Sequence, residues 1–455
     1  MALPSGASGV APRSPRGRTS TTSYPSRRLL VIFATAGVAA FLYVQVLLPR
    51  MHWAAPPGRS SPRVTTDATR ARSHCASARL RRSAALGDVA WIDDGALRLV
   101  DLGTCKQTTL VATGAEPPAR FSFDGRWLAF GQGRVVSAAG GPVQQPFGSS
   151  VQAWTWSPTA DQLAGVTRDG GLLIAHPGEA PETLLTDGSG IGHVAFAPDG
   201  SRLAIDRVGR GIQVLDLSTG KTRTALPEPD PARVPEVEGW SPDGRWVLYW
   251  RAPVHEIGAP LDAVPASGGS WVNVFDPVLP YPDVLAACGK RLAVSVGSGR
   301  DVTIGKQIVL TGPPAWSYDN LTDDYGRSWF WPACSPDGGW LATTDSFSQK
   351  ESADRSVPRA LWLLATDGSS RRLLVPGTQG AVEFPRWSSD GSTILVVLRP
   401  GDRWSSPGSL YLVPVKDRST HPAKLLGPIA ELGSAPGPGG LQEWAAMSDW
   451  YRPAP

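Results

Sequence analysis

The sequence predicts an all-β fold, an eight-bladed β-propeller carried behind one N-terminal transmembrane helix. Three observations lead there. A hairpin motif recurs along the chain, clearest as Trp240-Ser241-Pro242-Asp243-Gly244-Arg245-Trp246-Val247-Leu248. The residue just before its turn falls at Phe121, Trp156, Phe196, Trp240, Cys288, Cys334 and Trp387, with an eighth large residue, Trp444, near the end. Ahead of all of them, Leu29 to Leu48 is a 20-residue run without a charge.

The motif has one physical grammar. An apolar strand ends at the large residue, Pro-Asp-Gly reverses the chain, and a second apolar strand leaves. Gly accepts positive φ and Asp bonds the turn backbone, so Asp-Gly is a strong hairpin signal. Repetition every 35 to 57 residues, four short strands at a time, is the spacing of a propeller.

In chain order, residues 1–28 read as a cytoplasmic basic tail and 29–48 as a transmembrane signal anchor. Twenty apolar residues at about 1.5 Å each cross ~30 Å of hydrocarbon. A cleaved signal peptide is the competitor, but its apolar core is usually ~7–15 residues and ends in small residues. Here the run ends Val46-Leu47-Leu48-Pro49-Arg50. Ser26-Arg27-Arg28-Leu29-Leu30 resembles a twin-arginine export motif and reads equally well as flanking charge. Arg13, Arg16, Arg18, Arg27 and Arg28 precede the span, while only Arg50, Arg59 and Arg63 follow it closely. The positive-inside rule therefore predicts that everything after the span is extracytoplasmic.

Residues 49–85 are rich in Pro, Ser and Arg without apolar periodicity, an extended stem. Residues 1–85 carry a net +12 against +4 for the whole chain, so the remaining 370 residues are acidic at −8. That balance argues against a nucleic-acid partner for the repeat region.

Residues 86–455 form the propeller. Its first unit has three strands, around Val89–Ile92, Ala96–Asp101 and Lys106–Val111, and no motif strand of its own. Trp444 has no following strands. Joining the two completes an eighth blade and closes the ring; the alternative is seven blades, with the weak Cys288 unit absorbed by a neighbour. Closure leaves only short sheet edges. The motif's large residues are expected to fill the wedges between blades.

These motifs resemble the Pro-Asp-Gly repeats of the TolB family. The resemblance spans roughly residues 86–450 and implies a periplasmic or cell-surface propeller that binds other proteins. TolB differs in having a small α/β domain and a cleaved signal, which puts a Tol–Pal role in doubt.

Catalytic signatures are sparse. No Gly-x-Ser-x-Gly elbow is present. The six His, His52, His74, His176, His193, His255 and His421, show no ligand spacing, and Asp93-Asp94-Gly95 and Asp323-Asp324 lack the spaced carboxylates of a calcium loop. No cofactor is expected. The reading is a binding or scaffold module, not an enzyme, whose partner is an unidentified protein or cell-envelope ligand. A propeller enzyme (lyase, lactonase or glycan hydrolase) with a site in the central channel is the alternative, and a sensor domain a third.

Two site expectations follow. The connections at Arg251–Ala259, Gly297–Gly305, Asp345–Arg359 and Arg399–Gly408 are long, and with the linker Pro227–Val234 they share one face. They carry His255, Glu256, Arg300, Asp301, Lys350, Glu351, Asp354, Arg355, Asp402, Arg403 and Trp404, a candidate partner-binding set; insertions without function are the plain alternative. Four cysteines in an exported chain suggest disulfides. Cys75 with Cys105 ties the stem to the first blade. Cys288 and Cys334 occupy equivalent positions in adjacent blades, as a disulfide or as two small buried thiols.

Overall fold

The computed structural model describes residues 86–451 except 187–189, 228–234, 252–258, 279–284, 298–305, 324–325, 348–357, 401–405, 416–421 and 435–447. They fold as eight antiparallel sheets, each a propeller blade. Strands within a blade are called a to d, the motif joining a to b.

Blade 1 consists of Asp88–Asp93, Ala96–Asp101 and Lys106–Val111, with Ser448–Tyr451 from the far end of the chain as strand a. Blade 2 is Ala119–Phe121, Trp127–Phe130 and Arg134–Ser137. Blade 3 is Val151–Trp156, Leu163–Thr167, Leu172–Ala175 and Glu182–Leu185. Blade 4 is Ile191–Phe196, Arg202–Arg207, Gly211–Asp216 and Thr222–Leu226. Blade 5 is Pro235–Trp240, Trp246–Arg251, Ala259–Pro265 and Val272–Val278. Blade 6 is Leu285–Cys288, Arg291–Val296, Gln307–Thr311 and Asp319–Asn320. Blade 7 is Arg327–Cys334, Trp340–Phe347, Ala360–Ala365 and Arg371–Val375. Blade 8 is Ala381–Trp387, Thr393–Arg399, Pro407–Pro414 and Leu426–Ser434.

The count is eight because the Cys288 unit is a blade in its own right. Its a and b strands meet across a two-residue turn, Cys288 opposite Arg291, with Gly289 at φ +60°. All seven predicted motif residues end an a strand. The eighth position is corrected. Trp450, not Trp444, stands opposite the second residue of a b strand, Val89, as Trp240 stands opposite Val247. Trp444 lies outside the described residues.

Where the motif carries both Ser and Asp, it is closed by the same bonds. Ser241 Oγ donates to Asp243 Oδ1 (2.6 Å), Asp243 accepts Arg245 N–H (3.1 Å), and Trp246 N–H donates to Ser241 Oγ (3.0 Å). Ser335, Asp337 and Gly339 repeat it, as do Ser388, Asp390 and Ser392. These bonds satisfy turn groups that would otherwise compete for water.

The wedge residues also tie blades together. Trp156 Nε1 donates to Arg120 O (3.1 Å), Trp240 Nε1 to Ala195 O (3.0 Å) and Trp387 Nε1 to Ala333 O (2.8 Å). Each acceptor directly precedes the motif residue of the previous blade. Between blades 6 and 7 the same place is taken by a disulfide, Cys288–Cys334, with Cα atoms 5.3 Å apart. Cys105 is also disulfide-bonded; its expected partner, Cys75, lies outside the described residues.

Blade 2 departs from the expected four strands. After Ser137 the chain returns to strand c only through the isolated bridge Val135–Gln144. Pro142 and Pro146 flank that bridge, and a proline has no N–H for a ladder. The core is a series of clusters, mostly shared by neighbouring blades, such as Val214, Val237, Trp240 and Tyr249 between blades 4 and 5.

Leu29–Leu48 lies outside the described residues, among which no helix is long and apolar enough to cross a membrane.

Candidate functional site

Antiparallel four-stranded blades put the a–b and c–d turns on one face of the disc and the b–c and d–a connections on the other. The eleven loop residues predicted to bind a partner all lie outside the described residues. What the structure describes is the ground from which the loops spring.

At each long b–c connection the flanking strands hold charge inside the protein. In blade 5, Arg251 grips Asp262 with two bonds (2.7 and 3.0 Å), and Asp262 also accepts the Asn273 amide (2.8 Å). The Arg251 guanidinium lies 4.7 Å from the Trp271 ring centroid. In blade 7, Arg327 pairs with Asp345, which accepts Trp362 Nε1–H at 2.9 Å. Burial raises the Asp345 carboxyl above its ordinary value, although Trp362 and Arg327 oppose this.

The densest group joins blades 7 and 8. Arg359 Nη1 is 2.7 Å from Glu383 Oε1, and Arg399 donates to the same oxygen. All three side chains are essentially inaccessible, at 1%, 0% and 0% exposure for Arg359, Glu383 and Arg399. Removing one partner of such a buried group strands a charge and costs ~3–5 kcal/mol. One carboxylate thus fixes the end of the Asp345–Arg359 connection and the start of the Arg399–Gly408 connection.

Aromatic rings pack under this group. Arg359 stands 5.2 Å from the Phe330 ring and 5.3 Å from Trp331; Trp331 and Phe384 are 4.5 Å apart. Lys306, at the root of the Gly297–Gly305 connection, is 5.9 Å from Phe330, and burial pushes its ammonium down to about 7. Trp331 and Phe384 hold φ of +50° and +51° within bulges of their a strands. Both precede a proline, Pro332 and Pro385, which lacks the N–H to continue the ladder. Side chains in that region store ~1–3 kcal/mol of strain each, which tends to gather at functional places.

A second group lines the inner ring, where a strands of neighbouring blades pack side by side. Asp206, buried at the end of strand b in blade 4, accepts N–H from Gly192 (2.9 Å), His193 (3.0 Å) and Val237 of blade 5 (2.8 Å). It also bonds His193 Nδ1 at 2.8 Å, and the imidazole is half exposed. That bond raises the His193 pKa against the effect of burial, with Glu236 and Glu238 adding to the rise. Glu238, on strand a of blade 5, accepts Trp250 Nε1–H at 2.8 Å. Its pKa is raised because protein surrounds it, although its surface reaches solvent. Among the described residues no three His, Cys, Asp or Glu are placed to hold a metal ion.

Sequence reasoning missed both groups. Three signals were available: a charge inside an apolar strand (Glu383 in Ala381–Trp387), an Arg ending strand b (Arg251, Arg399), and an aromatic-Pro pair just before the motif residue.

No family model matches the chain, and no curated protein matches it. Many solved structures do. Dihydro-heme d1 dehydrogenase NirN is 15% identical over 90% of this chain and 86% of that chain, with a TM-score of 0.52. TolB from Acinetobacter baumannii is 15% identical over 67% of each chain, with a TM-score of 0.34. Oligogalacturonate lyase from Vibrio parahaemolyticus is 12% identical over 75% of this chain and 86% of that one, at 0.42. TolB proteins are thus among the structures this chain resembles. Likeness at these identities speaks to the propeller fold.

Proposed function

We propose that this chain is a membrane-tethered, extracytoplasmic propeller that binds a protein or cell-envelope ligand through the face bearing the long connections of blades 5 to 8. The observation that carries the reading is the shared root of those connections: Glu383 bonds both Arg359 and Arg399 inside the protein. Roots locked by buried charge fix where such connections leave a rigid scaffold, which is where binding residues tend to sit. The tether rests on the uncharged run Leu29–Leu48 and its arginine-biased N-flank.

Crosslinking in intact cells, followed by identification of the captured molecule, tests the reading. Replacing Asp345–Arg359 with a tight turn would also remove Arg359 from its bonds. The informative variant therefore shortens only residues 348–357. It is expected to fold with wild-type circular dichroism and to lose the crosslink; an unchanged crosslink overturns the assignment of the face. Protease added to spheroplasts is expected to digest the propeller, and full protection reverses the topology.

The enzyme reading has one specific observation in its favour, the His193–Asp206 pair beside Glu238 on the inner ring.

A further inference from the structure

We propose that the inner ring of blades 4 and 5 is an acid–base site that hydrolyses neutral or cationic carboxylic esters, with Glu238 as general base and His193 as general acid. This goes beyond partner binding and uses neither the long connections nor the Glu383 group.

The geometry comes first. Asp206 is fixed by three backbone N–H donors from two blades and cannot follow the imidazole. Its bond to Nδ1, 2.8 Å, therefore orients the His193 ring, and the side chain stays half exposed with Nε2 as its remaining nitrogen. A carboxylate that holds one ring nitrogen and stabilises the imidazolium is the arrangement acid–base catalysis uses. Glu238 stands on the adjacent a strand, oriented by the Trp250 indole N–H at 2.8 Å. Asp206 and Trp250 are positioning residues.

Protonation states agree with these roles. The Asp206 bond keeps His193 protonated to higher pH than a free imidazole, which favours its role as proton donor. Enclosure by protein makes Glu238 a stronger base than an ordinary carboxylate. The reaction needs Glu238 deprotonated and His193 protonated at the same time, which makes it dependent on pH from both sides. Among the described residues, the charged groups that act on His193 are Asp206 of its own blade and Glu236 and Glu238 of blade 5; from blade 3, the neutral Gln152 amide bonds Ile191 O nearby (2.7 Å).

The step balances with water alone. Glu238 takes a proton from water as its oxygen bonds to the ester carbonyl carbon, and the π pair moves onto the carbonyl oxygen beside the imidazolium. Collapse re-forms the carbonyl and breaks the C–O bond to the alcohol. The leaving alkoxide takes the His193 Nε2 proton, and the proton on Glu238 returns to His193 through water. Ester and water become acid and alcohol. With Asp206, Glu236 and Glu238 all acting on the His193 imidazole, phosphate or carboxylate substrates are repelled, which selects neutral and cationic esters.

The test uses the full chain in detergent with p-nitrophenyl acetate, acetylthiocholine and the anionic ester p-nitrophenyl hemisuccinate. The expected result is a bell-shaped pH profile of kcat/KM for the first two and a lower rate with the third. Glu238→Gln and His193→Gln each lower kcat/KM by ~10²–10⁴-fold and remove the acid and the alkaline limb respectively. Trp250→Phe takes away a bond that lowers the Glu238 pKa, so the acid limb moves to higher pH. Rates that are equal in wild type and Glu238→Gln on every probe overturn the proposal, as does preference for the anionic ester. Gln keeps an oxygen that can accept the Trp250 indole N–H, so Glu238→Gln is expected to fold with wild-type circular dichroism. Retained crosslinking in that variant separates this site from the partner-binding face.

Discussion

At the scale of single residues, one position explains both the tryptophans and the odd pair of cysteines. The residue that ends strand a is placed to reach the blade before it, and Trp156, Trp240 and Trp387 do so by an indole N–H to a backbone carbonyl. Trp387→Phe keeps most of the buried ring and leaves Ala333 O without its donor. Chemical denaturation is expected to show a loss of about 1–2 kcal/mol, against about 3–5 kcal/mol for Trp387→Ala. Between blades 6 and 7 the covalent bond does the same work. Mass analysis of unreduced peptides should recover Cys288 linked to Cys334, and Cys288→Ala/Cys334→Ala should cost about 2–4 kcal/mol. Placing Trp at position 334 in the Cys288→Ala background is expected to recover part of that loss, because its indole would reach for Ala287 O as its counterparts do.

At the scale of elements, the hairpins are set by their own side chains. Bonds from Ser335 and from Gly339 N–H hold the Asp337 carboxylate below its ordinary pKa. A depressed folded-state value contributes stability above the unfolded pKa and loses it as acid protonates the turn. The propeller should therefore weaken below about pH 4. Strand b of blade 1 shows the opposite sign. Burial and then the nearby Asp101 raise Asp88 to about 6, in a strand where it also pairs with Tyr451 of the closing strand. Its folded pKa lies above the unfolded one, so stability is lost as pH rises from about 4 to 6 and stays lost at neutrality. Asp88→Asn is expected to raise the melting temperature at pH 7 and to have no effect at pH 3.5. Equal melting temperatures at both pH values would show that Asp88 is not held in this way.

At the scale of the whole molecule, eight blades form one ring only because the last strand returns to the first. Ser448–Tyr451 pairs with Asp88–Asp93, Trp450 Nε1 donates to Leu86 O at 2.6 Å, and Asp449 accepts Phe121 N–H at 2.8 Å. Arg386 of blade 8 donates to Ser448 O at 2.7 Å, so the closing strand is held from both sides. Deleting residues 448–455 leaves the b strand of blade 1 as an open edge next to the start of the ring. The expected outcome is loss of a single cooperative unfolding transition, with early hydrogen exchange in blades 1 and 8. Retained two-state unfolding at an unchanged midpoint would show that closure contributes nothing.

The eight blades and seven of the residues that end an a strand, though not the missing fourth strand of blade 2, were legible in the sequence, because the hairpin is a local device. Its Ser, Asp and Gly act within about six residues of one another, and turn chemistry at that range survives in any context. Closure by the chain ends was legible as arithmetic, but the closing residue was not. Trp444 and Trp450 carry the same ring, and only strand register against Val89 distinguishes them. The charged groups escaped for a different reason. Arg359 and Glu383 are 24 residues apart, and Asp206 meets Val237 across 31. Such pairs exist only once blade has stacked on blade, and their burial, which gives them their energetics, is a property of that stacking. Turns, strands and repeat follow from local chemistry; which charges are shared between blades follows from packing, since no local pattern encodes a neighbour a whole blade away.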